Sequence, residues 1–432
     1  MASAHEKSSI MLDAPAGWKV RRLETFATKV GSGATPRGGQ SVYLNSRVSH
    51  ALIRSQHVHD RQFDRDDIAF IAEEHSQELR NAEVRPDDIL LNITGDGVTF
   101  ARACIVPKDI LPACVNQHVS IVRVDPNLCV PGYLLAYLTH PVTKRYIESF
   151  NTGGSRRAIT KGHIQSFEVP LPPLPVQRRI AGILSAYDEL MENSQRRIRL
   201  LEAMARALYR EWFVHFRFPG HEKHPRVASP LGDIPQGWEV KRAPECVDIS
   251  PRVAIPRDGE KPFVPMGCLS NDSMLITDIE SRAGNSGAKF QNGDTLFARI
   301  TPCLENGKTG FVQFLPDAQA VGFGSTEFIV LRSRTLTPEF VYLLARSDEF
   351  RGVAIKSMSG ATGRQRVQEQ CFDDFQIVQP PRALLDRFSA IVAPSFLLIY
   401  ELHLQVQNLR RTRDLLLPRL LSGQVEPKTQ AA

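Results

Sequence analysis

At 432 residues the chain is too long for one ordinary core, and length alone implies about two or three domains. Its 42% hydrophobic and 23% charged residues match an average globular protein, which excludes a disordered chain, and no stretch reads as both long and apolar enough to span a bilayer. A net charge of +6 with a pI near 8.9 favours a polyanionic partner only weakly, and only where the excess gathers on one face.

Residues 1–14 hold no apolar run before a small-residue cleavage site, so a cytoplasmic chain is expected, with 1–15 as a flexible tail. The segment Pro15-Ala16-Gly17-Trp18 then opens a globular stretch, 16–175, with strands expected at 88–93 and 119–124 and short helices across 131–150. A proline-rich stop, Pro170-Leu171-Pro172-Pro173-Leu174-Pro175, precedes a long helix at 176–215. Its apolar stripe is Ile180, Leu184, Tyr187, Met191, Ser194, Ile198, Leu201, Ala205, Leu208 and Trp212, in alternating steps of four and three. After a linker at 216–232 the pattern restarts.

The opening recurs as Pro235-Gln236-Gly237-Trp238, shifted by 220 residues. A second globular stretch, 233–381, has strands expected at 294–299 and 328–331 and helices across 338–355. A second long helix, 382–422, carries Phe388, Val392, Ser395, Ile399, Leu402, Val406, Leu409, Arg413, Leu416 and Leu420, and a tail follows at 423–432. From Phe167/Phe375 onward the shift is 208 without a gap, so the helices keep one length while the globular parts differ by 12 residues. Such a helix spans on the order of 50 Å, and a single narrow apolar seam is stable only against a partner helix. The expected fold is therefore α+β: two tandem globular domains, each followed by a long helix, with the helices pairing as a coiled coil. Pro394 predicts a bend or a restart in the second helix. Trp212 and Phe213 read as an exposed seam for a partner.

Catalytic machinery is not legible. No Gly-x-Gly-x-x-Gly follows a strand, and neither a phosphate loop nor the Asn/Asp-Pro-Pro-aromatic element of amino-methyltransferases is present. The seven cysteines are scattered without a C-x-x-C pair, which argues for buried apolar thiols rather than disulfides or zinc. The pairs His57/His59 and His221/His224 read as solvated loop histidines and not as metal ligands. The run Gly31 to Gly39, with Arg37, is either a flexible loop or a DNA-backbone contact. Better candidates lie before each helix. Ser155, Arg156, Arg157 and Lys161 align at the 208 shift with Arg364, Gln365 and Arg366, and arginine's planar fork suits guanine edges or phosphate. A second set, Asn92, Thr94 and Arg102 with Arg299, Thr301 and Lys308, sits where a strand runs into a polar loop in both halves.

Taken in order, several motifs resemble the specificity subunit of type I restriction-modification systems. They are the two Pro-x-Gly-Trp openings, Gly33-Ala34-Thr35-Pro36, and the hinge from Pro170 through Gln177-Arg178 to Ile180. Leu208 to Phe213, Phe216 to Gly220 and Arg413 to Gly423 complete the set. The resemblance implies two target recognition domains, each reading half of a split, asymmetric site in double-stranded DNA, with the helices, paired as an antiparallel coiled coil, as spacer. On this reading Ile180, Leu184, Met191, Ile198, Leu201, Leu208, Trp212, Phe213, Val392, Ile399, Val406, Leu409, Leu416 and Leu420 build the spacer and its partner surface. It also implies two methyltransferase subunits and two restriction subunits as partners. S-adenosylmethionine, ATP and magnesium would then belong to those subunits, with no cofactor in this chain. The second half departs from the pattern, having Arg252-Val253-Ala254-Ile255-Pro256 in place of Gly-Ala-Thr-Pro and no Gln-Arg pair at its hinge. A coiled-coil adaptor that never touches DNA and a stand-alone DNA-modifying enzyme are the competing classes.

Overall fold

A computed structural model describes residues 14–95, 97–150, 157–361 and 363–425. The chain divides into two compact units of mixed α/β structure, 1–192 with 408–432, and 193–407. Both boundaries fall inside the long helices, Leu174–Tyr209 and Arg382–Leu421.

The first unit is layered around one antiparallel sheet, in the strand order Ala103–Ile105, Ile89–Asn92, Val119–Val124, Ala27–Ser32. Successive side chains of a strand point to opposite faces, and here both faces are covered. Ile89, Leu91, Val122 and Val124 pack with helix Pro131–Leu138, whereas Leu90, Val119 and Ile121 pack against a second, mixed sheet. That sheet runs Ala69–Ile71, His50–Ile53, Ala113–Val115, Glu83–Val84, with the central pair parallel. Two-sided burial explains why these strands read as continuous apolar runs.

The second unit repeats this plan strand for strand. Its antiparallel sheet is Thr309–Phe311, Thr295–Ala298, Phe328–Ser333, Val247–Ile249, and its mixed sheet is Glu280–Ala283, Glu260–Val264, Gly322–Gly324, Ala288–Phe290, again with one central parallel pair. The helical stretch expected in each half is in fact two helices, Pro131–Leu138 with Pro141–Ser149 and Pro338–Ala345 with Asp348–Lys356. His140 and Ser347, accepting from the backbone N–H groups of Val142 and Phe350, cap the second helix of each pair.

Identical local devices hold both units. In each opening the Trp N–H donates to the Pro carbonyl, at 3.1 Å for Trp18 and 3.2 Å for Trp238. The intervening Gly17 and Gly237 adopt φ of 87° and 86°, the left-handed position that this turn reserves for glycine. Inside, the fully buried Asp88 carboxylate accepts from Arg123 at 2.6 Å twice and from the Arg85 backbone N–H at 2.7 Å. Asp294 does the same with Arg332, at 2.7 and 2.6 Å, and with the Gln291 N–H at 2.7 Å.

The long helices enter these cores. In the first unit Ile180 and Leu184 share a cluster with Leu417, Leu420 and Leu421, beside partly buried Leu416. Arg413 and Arg61 both bond Asp188 at 2.7 Å. In the second unit Ile198, Ala205 and Tyr209 share a cluster with Phe388, Val392, Phe396, Ile399 and Leu402. Met191 and Val406 are buried, whereas Leu201, Leu208 and Leu409 are half-buried.

Four expectations need correction. The second helix does not restart at Pro394, whose ring is exposed while Val392 and Phe396 on the opposite side are packed. Phe396, not Ser395, occupies that position of the stripe. The same helix does contain a window long and apolar enough to cross a membrane by composition, with mean hydropathy 1.5; here Phe388, Val392, Phe396, Ile399 and Leu402 are core residues. Trp212 and Phe213 form no exposed seam: they lie within 4.8–6.1 Å of Phe388, Phe340 or Trp238 ring centroids and are buried in their own unit.

Candidate nucleic-acid interface

In each unit the two candidate sets predicted apart in sequence meet at one end of the antiparallel sheet. In the first, Thr94–Gly95 pairs with Arg157–Ala158, and the Ile159 N–H donates to the Ile93 carbonyl at 2.9 Å. In the second, Ile300 bridges Arg366, the Thr301 N–H donates to Gln365 at 3.0 Å, and the Val367 N–H donates to Arg299 at 2.8 Å. The loop after the strand and the loop before the long helix thus form one surface, twice.

A third element completes it, the turn leaving the parallel strand of the mixed sheet. Asn116-Gln117-His118 occupies this place in the first unit and Ser325-Thr326-Glu327 in the second. The equivalence is backbone-deep: Ile93 N–H donates to His118 and Arg299 N–H to Glu327, both at 3.0 Å. Asn116 and Ser325 also cap their own turns, accepting from the N–H of His118 and Glu327 at 3.0 and 3.1 Å. These turns escaped sequence reasoning. The available signal was a polar triplet just ahead of each well-marked strand, Val119–Val124 and Phe328–Ser333.

Side chains on this shared scaffold differ. In the first unit Thr35 donates to the Gln117 amide oxygen at 2.7 Å, Gln117 donates to His118 Nε2 at 3.2 Å, and His118 Nδ1 is bonded to Thr94. Gly33 makes the approach possible. Its N–H donates to Asn116 at 3.1 Å, and a Cβ there would fall 1.7 Å from the Val115 carbonyl oxygen. In the second unit Arg366 grips the Glu327 carboxylate with Nε and Nη2, at 2.7–3.0 Å, and this bond holds the guanidinium pKa above its ordinary value.

The remaining candidates separate by exposure. Arg37 is 91% exposed, 3.9 Å from Glu78; Lys161 and Arg364 are exposed, Gln365 half-exposed. Arg157 lies 3.6 Å from Glu148, and Arg102 donates to His59 at 3.2 Å. Ser155 and Arg156 lie outside the described residues. Three candidates are corrected to internal braces. Asn92 is fully buried, its amide donating to the Ser55, Val58 and Thr99 carbonyls. Lys308 donates to the Met266 and Leu269 carbonyls at 3.3 and 2.7 Å. Arg299 is spent on Glu369 at 2.8 Å and the Val367 carbonyl at 3.1 Å.

Among the described residues no three His, Cys, Asp or Glu side chains group as a metal site requires. His57 is not the solvated loop histidine expected: it is fully buried, and burial first, then Arg54, lowers its pKa to about 4. Five of the seven free cysteines are buried, and burial pushes Cys114 and Cys129 up to about 12, which makes them poor nucleophiles.

Residues 15–203 match the family described as the type I restriction modification DNA specificity domain. Among similar proteins is the MjaIX type I restriction enzyme specificity subunit of Methanocaldococcus jannaschii, 25% identical over 329 residues, covering 73% of each chain. The EcoEI specificity subunit of Escherichia coli is 31% identical over 156 residues, covering 34% of this chain and 26% of its own. In fold, the chain resembles the crystal structure of a type I restriction-modification S subunit from M. genitalium, with a TM-score of 0.57 at 11% identity, covering 94% of this chain and 96% of that one. The chain is thus similar to type I restriction-modification specificity subunits, with 15–203 as the matched domain.

Proposed function

We propose that this chain is the DNA-sequence-specificity subunit of a type I restriction-modification complex in the cytoplasm. Each unit reads one half of a split, asymmetric site in double-stranded DNA. One observation carries this reading: the same three-loop surface occurs in both units at the same place on the same sheets, but with different polar side chains. Two readers of two different half-sites need a shared scaffold with different polar side chains at this surface.

The long helices, paired antiparallel as a coiled coil, are the spacer. Each unit's core takes in part of each helix, which supports that pairing. Readers that meet the same face of the duplex need a separation near a helical turn, ~34–36 Å. Most of the seam is therefore internal, and the partner surface lies on other faces of the helices. Leu200, Met204, Leu397 and Leu404, 45–66% exposed, are the residues offered to two methyltransferase subunits, through which two restriction subunits join. Methyl transfer and ATP-driven cleavage belong to those subunits, with their S-adenosylmethionine, ATP and magnesium.

Duplex binding by the full chain, titrated against salt, tests the proposal. Specific binding that weakens steeply with salt is expected, because phosphate contacts release counterions. Incubation with DNA and S-adenosylmethionine or magnesium should leave the DNA unmodified. A chain without salt-dependent binding would be an adaptor.

A further inference from the structure

Resting on the reading above, we propose that the turns Asn116–His118 and Ser325–Glu327 are the base-reading elements, and that Gln117 and the Glu327/Arg366 pair set the two half-sites. A phosphate contact on this surface would use cations and neutral donors, since a carboxylate repels the backbone it faces. Glu327 sits instead in the middle of the second unit's loop cluster, with its side chain 20% exposed, locked to the 48% exposed side chain of Arg366.

A carboxylate and a guanidinium held side by side present an acceptor next to donors. In the major groove that complements a C·G pair, where cytosine offers its N4 donor and guanine its O6 and N7 acceptors. Arg366 keeps Nη1 free of the Glu327 contact, and the backbone bonds of Arg299 and Ser359 fix the loop beneath it. In the first unit the equivalent turn has no charge pair. It offers the exposed amide of Gln117, oriented by Thr35 on one side and His118 on the other. An amide held this way matches the N6 donor and N7 acceptor of adenine. One turn of the shared scaffold thus reads A·T in one unit and C·G in the other.

The test is selection of bound duplexes from a randomised pool by the full-length chain, comparing wild type, Glu327→Gln, and the double exchange Thr326→Gln with Glu327→His, which installs the first unit's pair. Wild type is expected to return a split motif. Glu327→Gln should relax one C·G position by roughly 10-fold, and the double exchange should shift that position toward A·T. The other half-site stays unchanged in both variants and so reports an intact fold. Variant motifs identical to wild type, or changes spread over both half-sites, overturn the assignment. Absence of any motif for wild type fails the parent reading before a variant is examined.

Discussion

Asp88 is the clearest residue-scale case of structure shaped by charge. Its carboxylate is wholly buried, so it is stable only while Arg123 and the Arg85 N–H satisfy it. Breaking such a pair from one side typically costs about 3–5 kcal/mol, because it strands the remaining charge. Asp88→Ala should destabilise by that order in chemical denaturation, and Asp294→Ala likewise. Histidine burial gives a pH dependence. The fully buried His57 and the nearly buried His140 have pKa values of about 4, lowered first by burial and then by Arg54 and Arg145 respectively. Unfolded, both take a proton near 6.5. Between those values the unfolded chain binds more protons, so stability is complete above about pH 6.5 and is lost as pH falls toward 4. Melting curves at pH 7 and pH 5 should show a larger loss for wild type than for His140→Asn, which keeps the helix cap without the titrating ring. On the candidate interface, Arg364→Ala should weaken DNA binding by about 1–3 kcal/mol if the exposed guanidinium reads a base. Asn92→Ala should instead lower the melting temperature, because its amide holds three carbonyls.

Among elements, the long helices were the most legible part of the sequence. Their stripes are one-dimensional, and apolar spacing of three and four residues survives any tertiary context. Arg413 is a charge within that stripe, and its reason lies far away in sequence: it pairs with Asp188, which also holds Arg61 from the turn between the paired strands Val58–His59 and Gln62–Phe63. At the positions 208 residues away the second unit has Phe396 and Ala205, both buried, and Phe396 packs edge-on to Phe311 and Tyr342. The same two helix positions are thus charged in one unit and apolar in the other. Asp188→Ala leaves two largely buried guanidinium groups short of a partner and should cost about 3–5 kcal/mol. Met204→Ala, on an exposed face, should stay within about 0.5 kcal/mol in the same unfolding assay. The candidate interface loops were only half legible. Arginines before each helix were visible as repeated charges, but Gln117, His118 and Glu327 reach the surface through sheet pairing between segments some two dozen or more residues apart, which spacing does not encode. Asn92 and Lys308 misled for the converse reason: polar residues at strand ends serve internal carbonyls as readily as a ligand.

For the whole molecule, the duplication makes modularity the central expectation. Residues 16–169 exchanged for the corresponding segment of another family member should change one half-site and leave the other intact, provided that the incoming domain supplies the arginine that meets Asp188. The match of 15–203 to the specificity-domain family and the repeated sheets of the second unit support two readers in one chain. The most direct measurement is methylation-sensitive long-read sequencing of host DNA with and without this gene. The account predicts a split, adenine-methylated motif that disappears on deletion. Methylation unchanged by deletion, in a host whose methyltransferase subunit is expressed, would contradict it.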